Sequence, residues 1–280
     1  MILPFQSDEQ FLSDVTATVA RRQGVSLWWV GQSGFLVHYD GVCIAIDPYL
    51  SDSLSQKYAG TNKPHVRMSA RVVDPALLSM VGVVTSSHNH TDHLDAETIG
   101  PMHHINPALS VLCSAANVDF AQQRLGIVPT GLGIGIPYTY GPFVIHAVPA
   151  AHNHREQDNA GHERYIGVIV EVCGVTIYHS GDTVRYEGMV EILRKWKIDV
   201  ALLPINGNDP ARGVAGNLDG REAATLAKQV GMGMVVPCHY DMFAFNTVST
   251  AYFVQSAGEI GQPYRVLQLG ERLDLPGNSV

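Results

Sequence analysis

The sequence predicts an α/β fold, and three features carry that expectation. A helix-period stretch is followed at once by three short strand patterns, helix and strand signals alternate from residue 74 onward, and one strand candidate after another ends in a histidine or aspartate. Residues 8–22 carry Phe11, Leu12, Val15 and Val19 on one face and polar residues on the other, an amphipathic helix that Gly24 stops. Strand candidates at 27–30, 35–39 and 42–46 follow, separated by Gly31-Gln32-Ser33-Gly34 and Asp40-Gly41, turns that suit a meander. Asp74 and Pro75 form an N-cap and first-turn pair opening a short helix, 81–85 is a strand, and 117–125 is helical with Gly126 behind it. Asp219-Gly220-Arg221-Glu222 has capping-box spacing, and the helix it opens ends near Val230 and leads into a strand at 234–237.

At 280 residues the chain is long for one core, but it contains no Ser- or Pro-rich linker, charge block or repeat, so residues 1–280 are read as one domain. Residues 51–68 read as a loop insertion, either an ordinary surface loop or part of the rim of a site. Cys43, Cys113, Cys173 and Cys238 are far apart with no C-x-x-C spacing and read as reduced thiols. Residues 1–8 lack a basic region followed by an apolar one, and no later run approaches a membrane span. A cytoplasmic protein without a membrane partner is expected.

The run His88-Asn89-His90-Thr91-Asp92-His93 packs three imidazoles and a carboxylate into six residues behind an apolar strand candidate. Burying four such groups as mere packing would cost several kcal/mol. A sharp turn at the strand end lets His88 and His90 face one way and Asp92 and His93 another, so one loop can serve two divalent cations ~3.5–4 Å apart. Six residues cannot complete two coordination spheres, and the later strands supply the rest. Residues 144–149 empty into His152, 175–178 into Asp182, and 234–237 into His239. The assignment gives one cation His88, His90 and His152, the other Asp92, His93 and His239, and lets Asp182 bridge them. His154 rivals His152 but opens a polar stretch, and His179 reads as a supporting residue because the Gly181 turn presents Asp182 instead. His38, His65, His103, His104 and His146 read as lone surface or core histidines.

This run, with Ala150-Ala151-His152-Asn153-His154, His179-Ser180-Gly181-Asp182-Thr183 and Pro237-Cys238-His239-Tyr240-Asp241, resembles the metallo-β-lactamase superfamily over most of the chain. That resemblance implies an αββα sandwich, two mixed sheets packed face to face with helices outside and the metals at one edge. Trp28-Trp29-Val30-Gly31-Gln32-Ser33-Gly34-Phe35, Ile46-Asp47-Pro48-Tyr49, Asp199-Val200-Ala201-Leu202 and residues 206–213 are similar to the L-ascorbate-6-phosphate lactonase branch. The lactonase has a carboxylate near the position of His152, so the His-rich set here points to zinc, with iron or manganese as alternatives. Flavin-linked di-iron relatives carry Glu where this chain has His90.

A net charge of −8 disfavours the nucleases of that superfamily, since nucleic-acid binding draws on Lys and Arg, and the basic clusters here are only Arg21-Arg22 and Arg194-Lys195-Lys197. The expected activity is therefore hydrolysis of a small ester, a lactone or sugar-phosphate lactone, with a phosphodiesterase acting on a nucleotide or phospholipid-like substrate as the runner-up. An idle metal-binding or regulatory module is the third reading. Two cations lower the pKa of a shared water toward neutrality; Asp92 would orient that nucleophile, and Asp182 or Asp241 would manage the proton. Arg164 and Arg212 are candidates for clamping a phosphate or carboxylate, and Asn206 and Asn208 for further substrate contacts. Self-association is left open.

Overall fold

Phe11 and Val15 are fully buried on the inner face of α1 (Asp8–Arg21), as the period of that stretch requires. The computed structural model describes residues 1–21, 24–209, 214 and 216–276. Arg22 and the side chains of Val19 and Arg21, which the sequence reading also used, lie outside the described residues, and so does Arg212.

Three antiparallel strands come next: β1 (Val25–Gly31), β2 (Gly34–Tyr39) and β3 (Val42–Ile46). The hairpin between β2 and β3 closes on Asp40 at φ 48° and Gly41 at φ 81°, two left-handed residues whose twist matches the strands they join. Residues 51–68 then leave the sheet and carry the short α2 (Ser53–Lys57). Asp74 caps a single 3₁₀ turn, Pro75–Leu77, by accepting from the Ala76 N–H. β4 (Val81–Ser86), α3 (Ala96–Ile105), β5 (Ser110–Ser114), α4 (Val118–Leu125) and β6 (Thr130–Leu132) add parallel strands to the first sheet.

The second sheet begins with the antiparallel β7 (Tyr138–Tyr140), β8 (Phe143–Pro149), β9 (Ile166–Val172) and β10 (Val175–His179). It turns parallel through α5 (Met189–Leu193), β11 (Val200–Pro204), α6 (Gly220–Val230) and β12 (Met234–Cys238). Parallel neighbours need a crossover, and the helices supply it. At the start of α6, Asp219 and Glu222 exchange the reciprocal hydrogen bonds of a capping box. After α7 (Ala251–Ile260), β13 (Arg272–Leu275) returns to pair with β1.

The sheets run β13-β1-β2-β3-β4-β5-β6 and β12-β11-β10-β9-β8-β7, and one continuous core takes buried side chains from both. This is the αββα sandwich of two mixed sheets with flanking helices. β4 and β11 are buried along their whole length, as central parallel strands must be. Tyr49, Leu54, Met242 and Phe243 form a separate small cluster, with Tyr58 and Phe245 packed on it. No helix among the described residues is long and apolar enough to cross a membrane.

Candidate metal centre

β3 and β4 end side by side, and the residues just past their ends build the floor of the site. Asp47, at φ 44°, accepts from the Ser87 N–H at 2.9 Å and from the Ser87 hydroxyl, and takes the His93 Nδ1 proton at 2.6 Å. That bond fixes the His93 tautomer and leaves Nε2 facing inward, the support that metal-bound imidazoles ordinarily receive. The chain from His90 onward coils into one turn, with the His93 and Leu94 N–H groups both donating to the His90 carbonyl. This turn is what separates His88 and His90 from Asp92 and His93.

Three further strand ends complete the cluster. His152 follows β8, and its loop is tied to that of Asp182 by Ala151 N–H to Thr183 Oγ1 at 3.0 Å and Val184 N–H to the Ala151 carbonyl at 2.7 Å. Asp182 follows β10 through Gly181 at φ 60°, where a Cβ would lie 2.7 Å from that of Ser87; only glycine lets the two ligand loops approach so closely. His239 follows β12 at φ 63°, and its N–H donates to the Gln32 carbonyl.

The donor atoms gather in three overlapping sets, His88/His90/His152, His88/His93/Asp182 and Asp92/His93/His239, each with one atom per residue lying within 4.8 Å of the others. Asp182 is central: its oxygens lie 3.3 Å from His93 Nε2, 3.4 Å from His239 Nε2 and 3.9 Å from His152 Nε2. Asp92 Oδ2 lies 3.7 Å from His239 Nε2 and accepts from Gln32 Nε2 at 2.9 Å.

Electrostatics divides the cluster in two. Burial and the neighbouring imidazoles hold His88 well below its ordinary value, and burial lowers His152, so both are neutral donors. Burial would also neutralise His93 and His239, yet the Asp182 and Asp92 carboxylates overcome it and raise both, His93 by far the more. Burial would raise the Asp182 carboxyl, but His239 and His93 keep it well below the usual carboxylate range. The carboxylates thus draw positive charge into this half.

The donor set fits a divalent cation on a second count. His88 Nε2 is buried without a hydrogen-bond partner, which costs about 1–3 kcal/mol, and His93 Nε2 and Asp182 Oδ1 are buried facing each other at 3.3 Å with no hydrogen bond of good geometry. Three such atoms converging on one space, on imidazole and carboxylate groups, are the donors that zinc, iron or manganese accept.

The remaining candidates divide clearly. His154 is exposed and pairs with Glu156 at 3.1 Å, away from the cluster that holds His152. His179 has a supporting role: its Nε2 donates to the Ser33 carbonyl at 2.8 Å and its Nδ1 accepts from the Gly181 N–H at 3.1 Å, bracing the turn before Asp182. His38 accepts from the Gly41 N–H in the core, and His146 pairs with Glu171.

The substrate-contact candidates Arg164, Asn206 and Asn208, and Asp241, the alternative for handling the proton, are not among the residues that line the cavity over the cluster. Arg164 is exposed, with its carbonyl held by Asn117. Asn206 is buried and donates to Asn246 at 2.8 Å; with Asn208 it lines a neighbouring cavity of about 490 Å³. Asp241, one residue past the buried Tyr240, lines a different cavity of about 210 Å³ beside Trp29, where desolvation raises its carboxyl.

The cavity over the cluster measures about 340 Å³. Its wall uses residues that the sequence reading passed over, among them Lys57, Tyr58, Lys63, His65 and Arg124. Residues 51–68 therefore do form part of the rim. Gln32, Asp47 and Ser87 were likewise missed as supports; the signal available for Asp47 was its place at a strand end followed by Pro48.

Known proteins give the same reading. The model of the β-lactamase superfamily domain matches residues 44–240. A UPF0173 metal-dependent hydrolase of Caldivirga maquilingensis is 29% identical over 219 residues, 78% of this chain and 82% of the relative. One from Methanosphaerula palustris is 30% identical over 185 residues, 61% of this chain and 75% of the relative. Among solved structures, Igni18, a metallo-hydrolase of Ignicoccus hospitalis, is 27% identical with a TM-score of 0.65, covering 91% of this chain and 99% of its own.

Proposed function

The chain belongs to the metallo-β-lactamase superfamily, within the UPF0173 metal-dependent hydrolases, and from that premise we propose that it opens a small ester, with a lactone as the first substrate to test, at a two-metal centre. The single observation that supports this most is the convergence of seven side chains from four separate strand ends, five of which, His90, Asp92, His152, Asp182 and His239, also line one cavity. His88, His90 and His152 would hold one cation, Asp92, His93 and His239 the other, with Asp182 between them; zinc suits this histidine-rich set. When bound, such ions supply Lewis acidity and an acidified water.

The protein's own groups do the rest. Gln32 commits one oxygen of Asp92 by hydrogen bonding, so that carboxylate has a fixed direction in which to orient the attacking water. Asp182, whose oxygens lie among the Nε2 atoms of His93, His239 and His152, is the carboxylate placed to take and return a proton. Asp241 lines another cavity, which favours Asp182 over it for that transfer. The four cysteines, none of which forms a disulfide among the described residues, fit a reducing compartment, the cytoplasm.

One observation favours a second reading. Lys57, Lys63 and Arg124 line the cavity, a cationic mouth that would suit a phosphodiester or a phosphorylated lactone. A panel of lactones, aryl esters and bis-p-nitrophenyl phosphate, run on the zinc-loaded protein and on His90→Ala, decides. Ester or lactone turnover that disappears in His90→Ala is expected. Turnover of the phosphodiester alone would establish the second reading, and the absence of any His90-dependent turnover would overturn both.

A further inference from the structure

Beside the groups of the metal centre, the cavity has an aromatic side. Residues 51–68 contribute Tyr58 and His65, and the loop after His239 contributes Phe243 and Phe245. The His65 ring stacks on Tyr58 at 4.2 Å and 20°, and meets Phe245 edge-on at 4.5 Å and Phe243 at 5.1 Å. Tyr58, His65 and Phe245 are each half-buried, whereas Leu54 and Phe243 behind them are buried in the small cluster that stands apart from the main core. The wall thus has its own foundation.

His65 keeps the wall uncharged. Its Nδ1 lies 3.1 Å from the Lys63 carbonyl, and a carbonyl only accepts, so Nδ1 carries the proton and Nε2 is left as an acceptor. Burial holds the imidazole below its ordinary value despite the Asp92 carboxylate, which adds no proton to it near neutrality. The backbone takes up the ring's one N–H, and its faces serve as apolar surface. Lys57 stands above the outer side of Tyr58 at 5.3 Å and marks the rim.

We propose that this wall selects substrates bearing a flat, apolar group, aryl or unsaturated, on the acyl or leaving side of the bond cleaved at the metal centre. The proposal rests on the hydrolase reading for the reaction but not for the binding. A tetrahedral head on the metal side and a flat group on the wall side would fill a cavity of about 340 Å³, and aromatic rings gain both from burial and from edge-to-face contact. An alkyl group of the same head would forgo the second gain.

Calorimetric titration of phenylphosphonate and methylphosphonate into the zinc-loaded protein tests this without turnover. A phenyl preference of about tenfold is expected, falling below about threefold in Phe245→Ala and, independently, in Tyr58→Ala, with zinc content measured for each protein. A wild-type ratio near one, or a ratio that neither variant moves, overturns the inference. Selective phenylphosphonate binding by a protein that cleaves no ester would preserve the wall and sink the hydrolase reading. Aryl-ester turnover with no phenyl preference in binding would do the reverse.

Discussion

The two sides of the cavity are built on different physical terms. The ligand side hangs from strand ends that are continuous with the main core, and each of its groups is braced: Asp47 on His93, Gln32 on Asp92, Thr183 on the His152 loop. The aromatic side rests on a few side chains, Leu54 of α2 and Tyr49, Met242 and Phe243 of the loops, that form a cluster separate from the main core. Chemistry that tolerates small errors in position poorly sits on the rigid scaffold, and contacts that need only apolar area sit on the loops.

The largest effect that would test this division is on the ligand side. Asp182→Ala removes the carboxylate nearest three imidazoles, and kcat/KM is expected to fall about 10³-fold, ~4 kcal/mol of transition-state stabilisation, with zinc stoichiometry falling in the same protein. Retention of full activity would break the ligand assignment. Phe243→Ala acts on the other side: chemical denaturation should show a loss of about 3 kcal/mol while zinc content is kept. Equal loss of metal would mean that the two sides are one unit.

Asp47→Asn touches no cation directly but weakens the brace on His93. Zinc affinity measured by competition with a chromogenic chelator is expected to drop about 10–100-fold, with the fold retained by circular dichroism. A smaller effect concerns pH. His93 and His239 hold protons above the ordinary imidazole value of about 6.5, and a cation must displace them, so zinc affinity should already decline as pH falls toward ~6.5 from above. Titration in buffers of different ionisation enthalpy measures the protons released. A pH-independent affinity would remove the two raised histidines from the ligand set.

Periodicity and motif spacing made α1, the β2–β3 hairpin, the α6 capping box and the strand-to-ligand pattern legible, because each is a local rule that a few adjacent residues satisfy. α3 was not legible: Pro101 in its interior signals a break, and the helix persists through the Asp95 cap and the burial of Ile99 and Met102. Gln32 and Asp47 stand in segments whose spacing does not say which ligand each braces, and His65 reads as an isolated histidine.

By itself the sequence determined which residues carry chemistry and that they stand at strand ends, since ligand type and strand termination are written within stretches of six or seven residues. Only the tertiary structure decided that Asp182 lies among His93, His152 and His239, that Asp241 lines a different cavity, and that residues 51–68 join Phe243 and Phe245 in one wall. Those outcomes depend on how two sheets stack and on which way a loop side chain turns. Both are set by long-range packing, which no local pattern encodes.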